Sequence, residues 1–167
     1  MPSDLTRKKL IVFDFDGTLV DSMPGIVAVA RSVMHDHGWS DEELGDMTRL
    51  VGPAFPQAFT AVYGISEAEA EQITAEYRSV YAGLGRDGWP LFDGMGDLLR
   101  VLKAAGKLLG TASSKREFLL ERGLATNGIR ELFDYPMAKR SDYGDSKEAA
   151  LGRALAAAGV DASEAVM

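Results

Sequence analysis

The chain has 167 residues, of which 46% are hydrophobic and 26% charged, with a net charge of −7 and no cysteine. These values are ordinary for a soluble globular protein of one domain, or of one domain that carries a large insertion. The absence of cysteine excludes disulfides, thiol catalysis and cysteine-based zinc sites. The acidic balance, without a basic stripe, argues against nucleic acid or an anionic membrane as a partner.

The chain contains no apolar run long enough to span a membrane, which takes about 18 residues or more. The N-terminal stretch also lacks the apolar centre of a signal peptide. We therefore expect a cytoplasmic protein.

The first predicted element is a buried strand over about residues 9–14. It ends in two carboxylates, Asp14 and Asp16, and Gly17 follows. A short apolar run followed by Asp-x-Asp-Gly is typical of a strand that leads into a tight turn. Because side chains i and i+2 of an extended chain point the same way, both carboxylates are predicted to face one point. They repel each other there unless a cation, a shared proton or a charged substrate compensates, so we place the active site here.

Residues 23–90 are predicted to contain helices only, with glycine or proline at both ends of the segment. Ser66 followed by Glu69 is a capping-box pattern and predicts the start of the longest of these helices. A loop rich in helix breakers covers residues 50–56. The predicted helices run from Pro24 to about Gly38, from Asp41 to Leu44, from Gln57 to Tyr63 and from Ser66 to about Ala82.

After residue 90 the pattern alternates between helices and strands. Helices are predicted to end at Gly106 and to cover residues 116–125 and 147–158, and strands to cover residues 108–112 and 134–138, with another apolar run at 165–167. Such alternation implies a parallel sheet with right-handed crossovers, and the site then lies beyond the carboxyl ends of the strands. Ser113 and Ser114 follow the second strand, and Lys147 begins a helix that can reach the same edge.

These residue types suit phosphoryl chemistry. Asp14 could attack phosphorus and form an acyl phosphate, while Asp16 could protonate the leaving oxygen and then deprotonate the attacking water. The hydroxyl of Ser113 and the nearby backbone amides suit a phosphate oxygen. Taken alone, Lys147 is typical of a solvated helix residue, and Lys115 is expected on the surface.

The motif DFDGTLVDS at residues 14–22 resembles the first motif of the haloacid dehalogenase-like hydrolase superfamily. GTASSK at 110–115 is similar to the second motif, with Ser113 as the phosphate-binding hydroxyl, and DSKEAALGRAL at 145–155 is similar to the third. The helical segment directly after the first motif looks like the cap domain of this family. Its loop LVGPAFPQAF resembles that of the phosphoglycolate phosphatase-like and nucleotidase-like members.

The resemblance implies a Rossmann-like α/β core at residues 1–22 and 91–167, with an inserted all-helical cap at 23–90. It also implies a Mg²⁺-dependent phosphatase that hydrolyses a small phosphomonoester, such as a phosphoglycolate-like compound, a nucleotide or a sugar phosphate, through an aspartyl-phosphate. We expect this small metabolite as the partner, and a monomer or homodimer. The implied site residues are Asp14 and Asp16 as catalytic and metal-binding groups, and Thr18, Ser113, Ser114 and Lys147 as phosphate-binding groups.

Asp16 argues against dehalogenation, because a halide leaves without a proton whereas an ester oxygen needs an acid. A phosphoglucomutase-like enzyme shares this second aspartate and stays open as an alternative. A receiver-like domain that accepts phosphate on a strand-end aspartate is disfavoured by the helical insertion.

Members of the family carry a fourth, acidic motif at the end of the next strand, which completes the Mg²⁺ site. Here the sequence stops at Met167, apparently just before that position, and Asp142 and Asp145 come too early to replace it. With Asp14 and the backbone carbonyl of Asp16 alone, Mg²⁺ affinity is expected to be poor. We expect a core that is truncated at the start of its fourth strand, either as a fragment of a longer chain, which we favour, or as a catalytically incomplete binding module.

Overall fold

The computed structural model describes residues 5–167, so that residues 1–4 of the predicted core lie outside the described part. Four parallel strands form one sheet in the order β3-β2-β1-β4. The strands are β1 (Leu10–Phe13), β2 (Leu108–Arg116), β3 (Tyr135–Lys139) and β4 (Ala165–Val166). The predicted parallel α/β sheet is confirmed, and its fourth strand consists of two residues that pair with Leu10 and Ile11.

Seven α-helices accompany the sheet among the described residues, and four of them lie within residues 23–90. These are α1 (Met23–Asp36), α2 (Asp41–Leu44), α3 (Gln57–Tyr63) and α4 (Glu67–Tyr81); the others are α5 (Met95–Ala104), α6 (Glu117–Thr126) and α7 (Lys147–Ala158). Short 3-10 turns lie at Leu5–Arg7, Met47–Leu50, Gly85–Gly88, Arg130–Leu132 and Ala162–Glu164. Within residues 5–167, no helix combines the length and apolar character needed to cross a membrane.

Serine side chains begin three of the helices. The Oγ atoms of Ser40, Ser66 and Ser146 accept hydrogen bonds from backbone N–H groups three residues later, at the starts of α2, α4 and α7. Each bond satisfies one of the N–H groups that a helix leaves free in its first turn. The predicted helix starts are confirmed at these positions, and the cap at Ser146 places Lys147 at the first position of α7.

Strand β2 is longer than the sequence indicated. The strand was predicted over residues 108–112, but the structure continues it to Arg116 because β3 offers pairing partners as far as Lys139. The register shifts on the way: Ser113 lies opposite Ala138, and Arg116 lies opposite Lys139. The two intervening residues therefore form a bulge, a distortion that re-aims side chains and is frequent beside active sites.

Phe15, which separates the two aspartates, points away from them into the core. Its side chain is fully buried, and its ring packs against α6 at Gly123. A Cβ atom on Gly123 would lie 2.4 Å from Cζ of Phe15. Glycine has a low helix propensity and so weakens α6. The absence of a side chain at Gly123 leaves the space that the Phe15 ring occupies.

A row of aromatic rings connects the helical segment at residues 23–90 to the sheet-bearing part of the chain. Consecutive ring centroids are 4.6–5.0 Å apart along this row. The rings belong to Phe59, Phe55, Tyr77, Tyr81 and Trp89. The indole N–H of Trp89 donates to Thr126 Oγ1 in α6 at 2.8 Å, which anchors the end of the row.

The division into core and cap stays a prediction, since one continuous apolar cluster spans both.

We predict that Gly123→Ala destabilises the protein. Overpacking against Phe15 is expected to cost about 1–3 kcal/mol, which outweighs a helix-propensity gain of up to about 1 kcal/mol. Gly152→Ala in α7 is the matched control, because nothing lies within 4 Å of the added methyl group there, and it should stabilise by about 0.5–1 kcal/mol. Urea denaturation of both variants measures the difference. Equal effects of the two substitutions would contradict the packing role of Gly123.

Candidate active site

Asp14 follows the last residue of β1 directly, at the carboxyl end of the sheet. Lys147 Nζ donates to its Oδ2 at 2.6 Å, and the backbone N–H of Phe15 donates to its Oδ1 at 2.7 Å. The Asp14 and Lys147 side chains are 28% and 33% exposed, so a solute can reach them. The structure thus brings together the predicted nucleophile and the predicted phosphate-binding lysine, which are 133 residues apart in the chain.

Asp16 is paired with a different lysine. Lys115 Nζ lies 3.0 Å from Asp16 Oδ1, and the Lys115 side chain is only 6% exposed. The same ammonium lies over the rings of Tyr81 and Phe15, 4.8 and 5.6 Å from their centroids. Oδ1 of Asp16 makes no aligned hydrogen bond within the described chain, so the contact is an ion pair without hydrogen-bond geometry.

The expectation that Lys115 lies on the surface is wrong. The bulge in β2 turns its side chain inward, and a carboxylate and two aromatic faces offset the cost of burying its charge. Nothing in the local sequence indicates this, because the decisive partners belong to the turn after β1 and to α4. The compensating charge that the two carboxylates require is therefore present as two lysine side chains, one for each aspartate.

The three predicted hydroxyl contacts are placed differently. Ser113 is buried, and its Oγ accepts the backbone N–H of Lys115 at 3.2 Å, so it shapes the bulge. Ser114 is half-buried and lines the cleft described below. Thr18 is exposed in the turn after Asp16, and its N–H donates to the carbonyl of Phe15 at 3.3 Å. Their roles in binding phosphate stay predictions.

The residues around Asp14 offer few ligands for a magnesium ion. Within residues 5–167, no group of three or more acidic or histidine side chains could hold a metal ion. Mg²⁺ is nevertheless often bound through one or two carboxylates, with waters and substrate phosphate filling the other positions. The Asp14 carboxylate meets that minimum and is accessible to solvent. The Asp16 carboxylate is paired with Lys115, so Asp16 would contribute its backbone carbonyl. Asp142 and Asp145 pair with arginines elsewhere.

An open cleft with an empty volume of about 470 Å³ lies between the bulge in β2 and the helical segment. Its polar lining is Asp16, Ser114, Lys115 and Arg116 on one side and Arg78 on the other. Its apolar and backbone lining is Ile26, Leu50, residues 52–54, Phe55, Tyr77 and Leu119. Of the aromatic side chains near the loop at residues 50–56, Phe55 lines the cleft, Phe59 is buried in the core, and Tyr63 donates to the carbonyl of Leu44.

The arrangement of Asp-x-Asp after β1, serines near the end of β2 and a lysine at the start of α7 has counterparts among known proteins. The sequence model described as haloacid dehalogenase-like hydrolase matches residues 11–167. The chain belongs to this family. A crystal structure of a predicted phosphatase from Clostridium acetobutylicum superimposes with a TM-score of 0.87 at 25% identity, covering 96% of this chain and 74% of that one.

Two curated relatives show the range of named activities in such proteins. The chain is 39% identical over 150 residues to a protein of Mycobacterium tuberculosis named tyrosine-protein kinase PtkA, covering 89% of this chain and 50% of that protein. It is 34% identical over 131 residues to a phosphoglycolate phosphatase of Synechococcus elongatus, covering 77% of this chain and 59% of that protein. The chain thus spans about half the length of the curated relatives it matches.

Asp145, just before α7, supports the position of Lys147. Two guanidinium nitrogens of Arg153 donate to its carboxylate at 2.9 and 3.0 Å, and the N–H groups of Arg140 and Ser146 donate at 2.7 and 2.9 Å. The hydrogen bonds from Arg153, aided by those from the backbone and opposed by burial, hold the pKa of Asp145 well below its usual range.

We predict that Asp145 makes folding stability sensitive to acid. Because its pKa is lower in the folded state, its contribution is complete above the unfolded-state pKa of about 3.9 and is lost as the pH falls towards the folded value. The stability of the wild type should therefore fall more steeply below about pH 4 than that of Asp145→Asn. Asp93→Asn, which removes an exposed carboxylate, should follow the wild type. If the free energy of unfolding depends on pH in the same way in the wild type and in Asp145→Asn, Asp145 does not have this role.

Proposed function

We propose that the protein hydrolyses a small phosphomonoester through an aspartyl-phosphate on Asp14. The observation that supports this most directly is the Asp14–Lys147 pair at the carboxyl end of β1, within a complete first motif. Membership of the haloacid dehalogenase-like hydrolase family and the similarity to a phosphoglycolate phosphatase support the same reaction class.

In this proposal a carboxylate oxygen of Asp14 attacks phosphorus, and the bond from phosphorus to the ester oxygen breaks. Asp16 acts here in its protonated form, in which its ion pair with Lys115 is lost. It gives its proton to the departing oxygen and takes one from the water that attacks the aspartyl-phosphate, which releases inorganic phosphate and frees Asp14. Lys147, already 2.6 Å from Asp14, balances the negative charge that gathers there during transfer.

Mg²⁺, which the family resemblance implies, would be held by the carboxylate of Asp14 and the backbone carbonyl of Asp16, and when bound it would neutralise charge on the phosphate oxygens. The helical segment closes one side of the cleft, which would restrict the substrate and exclude water during transfer. We propose a small phosphorylated metabolite as the partner and the cytoplasm as the compartment.

A second candidate is transfer of the phosphoryl group from Asp14 to a hydroxyl other than that of water. The similarity to a protein named tyrosine-protein kinase favours it, and a phosphomutase would use the same step. Product analysis separates the two functions, because hydrolysis releases inorganic phosphate whereas transfer yields a new phosphate ester. A high yield of free phosphate with no phosphorylated acceptor supports the phosphatase.

We predict that Asp14→Asn lowers the turnover of p-nitrophenyl phosphate with Mg²⁺ by at least about a thousandfold, because the amide is a poor nucleophile. The fold should survive, as circular dichroism and thermal unfolding would show. Asp93→Asn serves as the charge-matched control and should retain wild-type turnover. Substantial turnover by Asp14→Asn would rule out its role as nucleophile.

A further inference from the structure

Two arginines line the cleft from opposite sides and share one carboxylate. Arg78 comes from α4 in the helical segment, and Arg116 ends the bulge of β2. Arg78 donates to both oxygens of Asp142 at 2.7 and 2.8 Å, and Arg116 donates to Oδ1 of Asp142 at 2.8 Å. The two guanidinium groups are thereby held together, although one belongs to the helical segment and the other to the sheet.

This carboxylate is well enclosed and charged. The side chains of Asp142, Arg78 and Arg116 are 23%, 16% and 25% exposed. Burial opposes ionisation of Asp142, but the hydrogen bonds from both arginines outweigh it and lower its pKa to about 2. Forked contacts between guanidinium and carboxylate are among the strong and directional hydrogen bonds of proteins. The pair of arginines is therefore a built site for one carboxylate.

The present occupant belongs to an exposed loop. Asp142 lies between β3 and α7, and Ser141, Tyr143 and Gly144 around it are exposed. Segments with few buried contacts open at low free-energy cost. The backbone carbonyl of Asp142 keeps separate hydrogen bonds from Gln57 and Lys139, at 3.0 and 3.2 Å, which do not depend on its side chain. The side chain can therefore leave the arginines while the loop stays attached.

Arg116 also has a hydrogen-bond donor that no described residue uses. Its Nε is buried and donates to no acceptor among the described residues. Arg116 is adjacent in sequence to Lys115, the partner of Asp16, and both arginines line the same cleft as Asp16. A molecule bound in this cleft can therefore contact Asp16 and the arginines together.

We propose that Arg78 and Arg116 form a subsite for a carboxylate group of the substrate, and that Asp142 occupies this subsite until the substrate displaces it. The substrate class is then a short phosphorylated hydroxy acid, with its phosphate at Asp14 and its carboxylate at the arginines. The phosphate end of this assignment rests on the proposed function. A ligand that enters this subsite must break the ion pairs of Asp142 with Arg78 and Arg116. A carboxylate ligand replaces them and a neutral ligand does not, so the subsite selects for a carboxylate.

Binding of two phosphonates tests the subsite without turnover. The probes are 3-phosphonopropionate and its amide, which are nearly equal in shape and differ in the charge at the far end; isothermal titration of the whole chain measures both. Asp142→Asn removes the internal competitor and should increase the preference for the acid over the amide by about tenfold. Arg78→Gln should abolish that preference, and Arg78→Lys, which keeps the charge but not the fork, should reduce it.

Matched controls exclude general effects on folding. Arg86→Gln and Asp93→Asn remove the same charges at exposed positions outside the cleft and should leave the preference unchanged. Equal changes in the affinities for the acid and the amide in Asp142→Asn would overturn the proposal. A preference for the acid that survives in Arg78→Gln would also overturn it. A clear preference for the acid, without turnover of any ester, would support the subsite while contradicting the proposed hydrolysis.

Discussion

Two carboxylates lie at the end of one buried strand, and each is neutralised by a lysine from a different part of the chain. Lys147 reaches Asp14 from the start of α7, and Lys115 reaches Asp16 from the bulge of β2. Without these partners, two like charges close together in a partly buried site would oppose folding. The conformation of the loop after β1 therefore depends on two distant elements being in place, and so does the proposed division of roles between the aspartates.

Contacts in the surrounding structure hold the aspartates and their lysines in place. The Ser146 cap and the Asp145–Arg153 pair hold the first turn of α7, which positions Lys147. Phe15 anchors the peptide between the aspartates by packing on α6. The aromatic row and the ion pairs of Asp142 connect the helical segment to the same end of the sheet, so that the cleft opens next to Asp16.

The elements whose signals are local in sequence could be predicted. Serine caps, glycine stops and the apolar run before Asp14 each determine a boundary through neighbouring residues, and their order implied the parallel sheet. The length of β2 could not be predicted, because it depends on pairing with β3. The inward turn of Lys115 depends on Asp16 and Tyr81, and the position of Asp142 depends on Arg78, 64 residues away. Sequence spacing carries no signal for such partners.

The central claim is that Asp14 accepts the phosphoryl group while Asp16 handles the proton. Rapid acid quenching of Asp16→Ala during reaction with p-nitrophenyl phosphate tests it most directly, followed by mass spectrometry of the peptide that contains both positions. The leaving group of this ester needs little help from an acid, so the first transfer should proceed while release to water slows. We expect covalent phosphate to accumulate on Asp14. Rapid turnover of Asp16→Ala with no phosphate bound to Asp14, or phosphate bound to another side chain, would contradict the account.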